Sequence, residues 1–314
     1  MDPMIPIPTA EVQEGIKDFF LNLHPAGIVL FILPFVLMLA AIAIFPLALP
    51  HFWEKNKNKA TVALILALPI AVFFLLRDWQ ILANSILDYV AFIALLGSLF
   101  TISGGIYIRG AFAGLPIINT LFLLIGALLA NVIGTTGASM MMIRPLLRAN
   151  KARQHKAHIV IFFIFIVSNC SGLLTPLGDP PLFLGFLKGI SFAWTFRLFP
   201  EWLFVMFVLL ILTYLVDHFY FQQEHLETRK ILKKNDGYLS ERFGIEGQHN
   251  FLFLALVVTI ILAGGYVIYP MKGAPILGEP FGAAMSRIVQ SVAMTILAVS
   301  SYKTTHASIH ERNH

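Results

Sequence analysis

The sequence predicts an all-α polytopic membrane protein with about seven transmembrane helices plus one re-entrant helical hairpin. Two observations carry the class. Of 314 residues, 58% are hydrophobic and only 12% are charged, with a mean hydropathy of +0.79; soluble domains carry roughly twice that charge. Apolar stretches long enough to span a bilayer, about 20 residues each, recur near 24–50, 60–77, 86–108, 159–188, 199–221, 250–270 and 281–300. A third observation carries the hairpin. The further apolar stretch 116–143 is interrupted in its middle by Ala130-Asn131-Val132-Ile133-Gly134-Thr135-Thr136-Gly137-Ala138-Ser139.

Taken in order, residues 1–23 read as an extramembrane N-terminal segment. It holds Asp2, Glu11, Glu14 and Asp18 against Lys17 alone, unlike the positive opening of a cleaved signal. The loop after the first span holds Lys55, Lys57 and Lys59, and the loop after 116–143 holds Arg144, Arg148, Lys151, Arg153 and Lys156. The segment 222–248, read as a cytoplasmic linker, holds Arg229, Lys230, Lys233, Lys234 and Arg242. Positive residues of short loops mark the cytoplasmic side. With the N-terminus outside, a single crossing by 116–143 would leave the five-charge loop on the wrong side. A hairpin that enters and leaves from the cytoplasm, with its tip near 131–137, puts every strongly basic loop inside. Composition alone leaves open a single tilted helix with small residues at a packing interface. Multi-pass residence in the cell (inner) membrane follows.

The span 159–188 carries a second break, Ser168-Asn169-Cys170-Ser171-Gly172-Leu173-Leu174-Thr175-Pro176-Leu177-Gly178-Asp179-Pro180-Pro181. Three prolines and two glycines cannot continue a regular helix. Freed backbone groups are tolerated at membrane depth only where protein or a wet cavity satisfies them, and half-helix ends present carbonyls to a cation or amides to an anion. Sodium, a hard cation, takes oxygen donors. The candidate ion-binding residues are Asn131, Thr135 and Thr136 at the hairpin tip and Asn169, Ser171, Thr175 and Asp179 in the second break. Each has a plainer reading. Asn131 and Asn169 cap helices, Thr175 satisfies local backbone, and Asp179 ahead of Pro180 is a helix N-cap.

Other residues carry less. Cys170 is the single cysteine and reads as a small packing residue; no intrachain disulfide is formed. Asp78 and Asp88 flank a loop at the outer surface. Arg109 is a positive-inside anchor, and Gly104 and Gly105 permit close helix approach. His155 and His158 share a helix face but lie in a basic loop, and His306 and His310 have no third ligand nearby, so no resident metal or cofactor is expected. Basic residues spread over short loops give no nucleic-acid face. The absence of GxSxG, HExxH and paired intramembrane aspartates argues against an enzyme.

Together, Asn131 to Ser139, Arg144-Pro145-Leu146-Leu147-Arg148-Ala149-Asn150, and Ser168-Asn169 through Thr175-Pro176-Leu177-Gly178-Asp179-Pro180-Pro181 resemble the NhaD-type sodium/proton antiporters. These belong to the ion transporter superfamily, which also holds citrate and other carboxylate carriers. The resemblance is specific over about 100–190 and extends from 24 to about 300. It implies two inverted repeats, each with a hairpin and a helix broken at a Thr-Pro loop, so Asn131, Thr135, Thr136, Asn169, Thr175 and Asp179 would form the first of two cation half-sites. It also implies sodium and protons as partners within the lipid bilayer, with small carboxylates as the alternative cargo.

Residues 191–314 contain no second tip and no second Thr-Pro-x-Gly loop. They read as the opening helices of an incomplete second repeat (249–300) and a polar tail (301–314), as in a chain truncated after its first repeat. The resulting expectation is sodium/proton antiport by elevator or rocking motion. The alternatives are a sodium-coupled citrate carrier, or a non-enzymatic half-transporter fragment that needs a partner such as a second copy.

Overall fold

The computed structural model describes residues 25–110, 112–226, 228–229 and 244–312; the N-terminal segment 1–23 and most of the 222–248 linker lie outside them. Eight of the described helices are long and apolar enough to cross a membrane. The protein is therefore an all-α polytopic membrane protein, and its contacts divide it into two compact units.

The described part of one unit comprises residues 25–87 with 274–280. It contains α1 (Pro25–Ala48), the short α2 (Pro50–Trp53), α3 (Asn56–Arg77) and the start of α4 (Trp79–Gly104). Phe31 of α1 meets Phe73 of α3 edge to face at 4.7 Å. Asp78 caps α4: its Oδ1 accepts the Gln80 amide at 3.0 Å, which satisfies one of the orphan donors of a helix start. A tight turn at Leu277-Gly278, both with positive φ, is tied to α4 by Asn84 Nδ2, which donates to the Leu277 carbonyl at 2.9 Å.

The other unit comprises Asp88–Gly273 and the residues from Phe281 on. After α4 come β1 (Tyr107–Arg109), α5 (Pro116–Ala149), α6 (Ala157–Ile166), α7 (Pro180–Leu187) and α8 (Phe199–Gln223). Then follow β2 (Gly244–Glu246), α9 (His249–Ala263) with a π turn at Gly264–Ile268, α10 (Phe281–Thr304) and α11 (Ala307–Arg312). The β1 strand pairs antiparallel with β2, Ile108 opposite Ile245. A three-residue strand inside the linker has too few residues to show a period, so no sequence pattern marks it. The core is built at helical spacing from Leu95, Leu99 and Ile102 of α4, Leu123, Ala127 and Ala130 of α5, and Ile159, Phe163 and Ile166 of α6.

The geometry of α5 separates the hairpin from the single tilted helix. A straight helix would place Asn119 and Asn150 roughly 46 Å apart, at 1.5 Å per residue. Instead Asn119 Nδ2 donates to Asn150 Oδ1 at 3.0 Å, and Asn150 Nδ2 donates back to Asn119 Oδ1 at 2.7 Å. The chain therefore doubles back, at Gly134, whose φ of 77° and ψ of 156° are non-helical. The returning arm continues to Ala149 rather than stopping at 143, because Asn150 closes the base. Arg144 and Arg148, read as loop residues, thus lie on a helix.

A polar network with a buried centre, Asn119, Asn150, Arg153 and Asp217, surrounds that base. Asp217 of α8 takes Asn119 Nδ2 on one oxygen at 2.8 Å. On the other it takes Arg153 at 2.6 Å and His158 Nε2 at 2.8 Å. Glu224, also buried, accepts the amides of Gln154 at 3.2 Å and His155 at 2.9 Å. His155 and His158 stack on Tyr220. The two histidines are thus packing and hydrogen-bonding groups of the hairpin base. At the far end of α10, Ser301 donates to Asn250 Oδ1 at 2.6 Å, so residues 301–304 continue the helix instead of opening a polar tail.

Replacing Asp217 by Ala strips the buried Arg153 of its carboxylate. The expected cost is about 3–5 kcal/mol, measurable as a large drop in the thermal unfolding temperature of the detergent-solubilised protein. An unchanged temperature would show that the network does not stabilise the fold.

Candidate ion-binding site

The two breaks predicted from sequence meet. The second one resolves into α6, a 3-10 segment at Cys170–Leu174, and α7, with the Thr-Pro loop in between. The Thr135 amide, first in the returning arm of the hairpin, donates to the Gly178 carbonyl at 3.1 Å. Asn131 Oδ1 accepts the Leu174 amide at 3.0 Å, and Thr175 Oγ1 donates to the Asn131 carbonyl at 2.6 Å. Groups that each helix loses by breaking are thus recovered from the other element. That is the condition for irregular backbone in a membrane protein.

Glycine permits the approach. A Cβ on Gly172 or on Gly178 would overlap the carbonyl of the other, and one on Gly134 would lie 3.0 Å from the Leu177 carbonyl. Only at Gly134 does positive φ add to this, a backbone state open to glycine at no steric cost. Two further residues brace the loop: Thr195 Oγ1 donates to the Leu174 carbonyl at 2.8 Å, and Trp202 Nε1 to the Ser171 carbonyl at 2.9 Å.

The seven candidates have different surroundings. Asn131, Ser171 and Thr175 are buried, and their side chains are committed to the frame; Asn131 Nδ2 also donates to the Ala127 carbonyl at 3.0 Å, and Ser171 Oγ to the Val167 carbonyl at 2.9 Å. Asn169 is exposed and donates to the Ile164 carbonyl at 2.9 Å, a local closure of α6. Thr135 and Thr136 instead line a cavity of about 580 Å³. The Ser139 and Ser168 hydroxyls, 2.8 Å apart, line it too, beside Phe100 and Phe163. No lysine or arginine is among its lining residues.

Asp179 precedes α7 in extended conformation and makes no side-chain capping hydrogen bond, so the plain N-cap reading loses its central contact. The start of α7 is also poor at holding an anion. Pro180 and Pro181 have no N–H, and the next two amides, of Leu182 and Phe183, donate to the Asp179 carbonyl at 3.0 and 3.2 Å. A carboxylate beside a helix start without free donors suits a positive charge. Among the described residues, no group of three or more His, Cys, Asp and Glu is placed to hold a metal ion.

Sequence reasoning reached both breaks but missed the Gly172–Gly178 contact, Thr195 and Trp202. The glycines were visible only as helix breakers. Their role as a backbone-to-backbone contact has no local pattern, and Thr195 and Trp202 lie beyond the break in an ordinary apolar run.

Gly178→Ala is expected to force the Thr-Pro loop open at its Gly172 contact, at a cost of about 1–3 kcal/mol. A lowered unfolding temperature would register it, and wild-type stability would show that the backbones do not touch.

No curated protein and no solved structure gives a significant match. A family model described as "Putative citrate transport" matches residues 26–314. The chain, a multi-pass membrane protein whose two helix breaks meet at one polar crossing, therefore belongs to that citrate-transport family.

Proposed function

We propose that the protein is a secondary active transporter whose coupling cation binds at the crossing of the hairpin tip and the Thr-Pro loop, and that its exchange reaction is sodium against protons. The observation that carries this reading is Asp179: a carboxylate without a capping bond, next to the loop that takes the Thr135 amide. A charged group at membrane depth costs about 2.5–3.5 kcal/mol on insertion scales. A bound sodium ion offsets that cost, and protonation removes it, so ion and proton compete for one group. Thr135 and Thr136, which line the cavity, are the further oxygen donors of this reading.

The strongly basic loops are placed in the cytoplasm and the N-terminus outside, following the positive-inside rule. The hairpin, closed at its base by Asn119, Asn150 and Asp217, moves as a unit against the scaffolding spans in an elevator or rocking motion.

A second reading is cation-coupled carriage of a carboxylate such as citrate. The family description favours it. The crossing supports it less, because its donors are hydroxyls and its cavity is lined by no basic side chain.

Proteoliposomes separate the two. Sodium added outside vesicles loaded with a pH dye is expected to move protons, and Asp179→Asn to abolish that movement while the protein stays folded. Sodium- or proton-driven uptake of labelled citrate, without sodium-driven proton movement in its absence, would replace the first reading by the second. Neither response, with folded protein in the bilayer, would overturn both.

A further inference from the structure

We propose that Lys188 is a positioning residue for transport: a releasable tie that holds α7, the second half of the broken helix, in one of its working positions. The purpose assigned to the tie rests on the transport reading above; its existence does not.

The tie is built on Asp88 of α4, which sequence reading left at the outer surface. Its carboxylate is shared between two cations from different elements. Oδ1 takes Nη1 of Arg287, on α10, at 2.5 Å, and Oδ2 takes Nζ of Lys188, just past α7, at 2.6 Å. The two cations are not equivalent. The Arg287 side chain is 2% exposed and also donates from Nε to the Ala283 carbonyl at 3.3 Å, so it is held on its own helix. The Lys188 side chain is 52% exposed and sits at the end of an eight-residue helix.

That asymmetry decides what can let go. Removing one member of a buried ion pair is normally prohibitive, because the other is left as an uncompensated charge. Here, if Lys188 departs, Asp88 keeps Arg287, and the lysine carries its charge to water or lipid head groups on a flexible stem. The arrangement holds the end of α7 in place, and breaking the Lys188 contact leaves no unpaired buried charge.

The surroundings fit a part that docks and undocks. Gly189, directly after Lys188, has a φ of 90°, so α7 ends in a glycine joint able to absorb a change of direction. A further contact lies on the turn that follows α9. The ring of Phe186 rests in a notch at Gly265 that any Cβ would fill, within a π turn, a local irregularity often found at functional sites. The opposite end of α7 begins at Asp179, so a shift of the helix is felt at the crossing.

The test is a distance measurement between nitroxide labels at Leu184 and Val289, both exposed, in a Cys170→Ser background in phospholipid vesicles. The wild-type lysine is expected to give one dominant distance and a minor second population. Lys188→Met should raise the minor population about two- to fivefold, the range for a partly exposed ion pair, and Lys188→Arg should restore it. Asp88 is left intact, so that Arg287 keeps its carboxylate. Identical distributions for all three would overturn the tie. If the shift occurs in a protein that moves neither sodium, protons nor citrate, the transport reading fails and the tie stands.

Discussion

A peptide group released from a helix inside hydrocarbon has no water to bond with, and each one left unpaired costs several kcal/mol. The architecture around α5, α6 and α7 follows from that constraint. The hairpin breaks at Gly134 and the following span breaks from Cys170 to Asp179, and each break supplies partners for the other: Thr135 to Gly178, Leu174 to Asn131, Thr175 to Asn131. Because the partners are backbone groups, the two elements must approach to backbone distance. Hence Gly134 of the hairpin lies against the Leu177 carbonyl, and Gly172 of the loop lies against Thr135, where a side chain has little room. The polar crossing is the place where two otherwise untenable breaks become tenable together.

Charge obeys the same logic at higher stakes. Asp217, with no exposed side-chain surface, is acceptable because Arg153, His158 and Asn119 occupy both its oxygens. This closes the base of the hairpin by ionic hydrogen bonds, so tip and base are held by different chemistry. At the base, charges are matched and buried. At the tip, the contacts are backbone and hydroxyl, and Asp179 makes no capping bond. A charge satisfied by fixed partners is a structural element; a carboxylate with none of the expected local partners is where a mobile cation has something to gain.

Several sequence-level ambiguities were resolved by contacts rather than by residue type. Asn131 is both cap and connector: it bonds within its own arm to Ala127 and across to Leu174, and nothing in its neighbours' identity distinguishes these roles. Asn169, an equal candidate by composition, only closes α6 at Ile164. His155 and His158, spaced for one helix face, serve Glu224 and Asp217, acids some sixty residues away in the chain. Asp88 lies inside α4 with no motif around it, yet Arg287, 199 residues later, converts it into a junction.

By itself the sequence determined the membrane class, the approximate spans, the hairpin and both breaks. These depend on quantities local to the chain: the apolar length needed to cross a bilayer, the sign of loop charges, and the inability of Gly and Pro to continue a helix. Only the tertiary structure decided that the breaks touch, which candidate side chains are spent on the frame, and which acids are paired. Those outcomes depend on partners 30 to 200 residues apart, and the identity of a residue carries no record of the distant group it will meet.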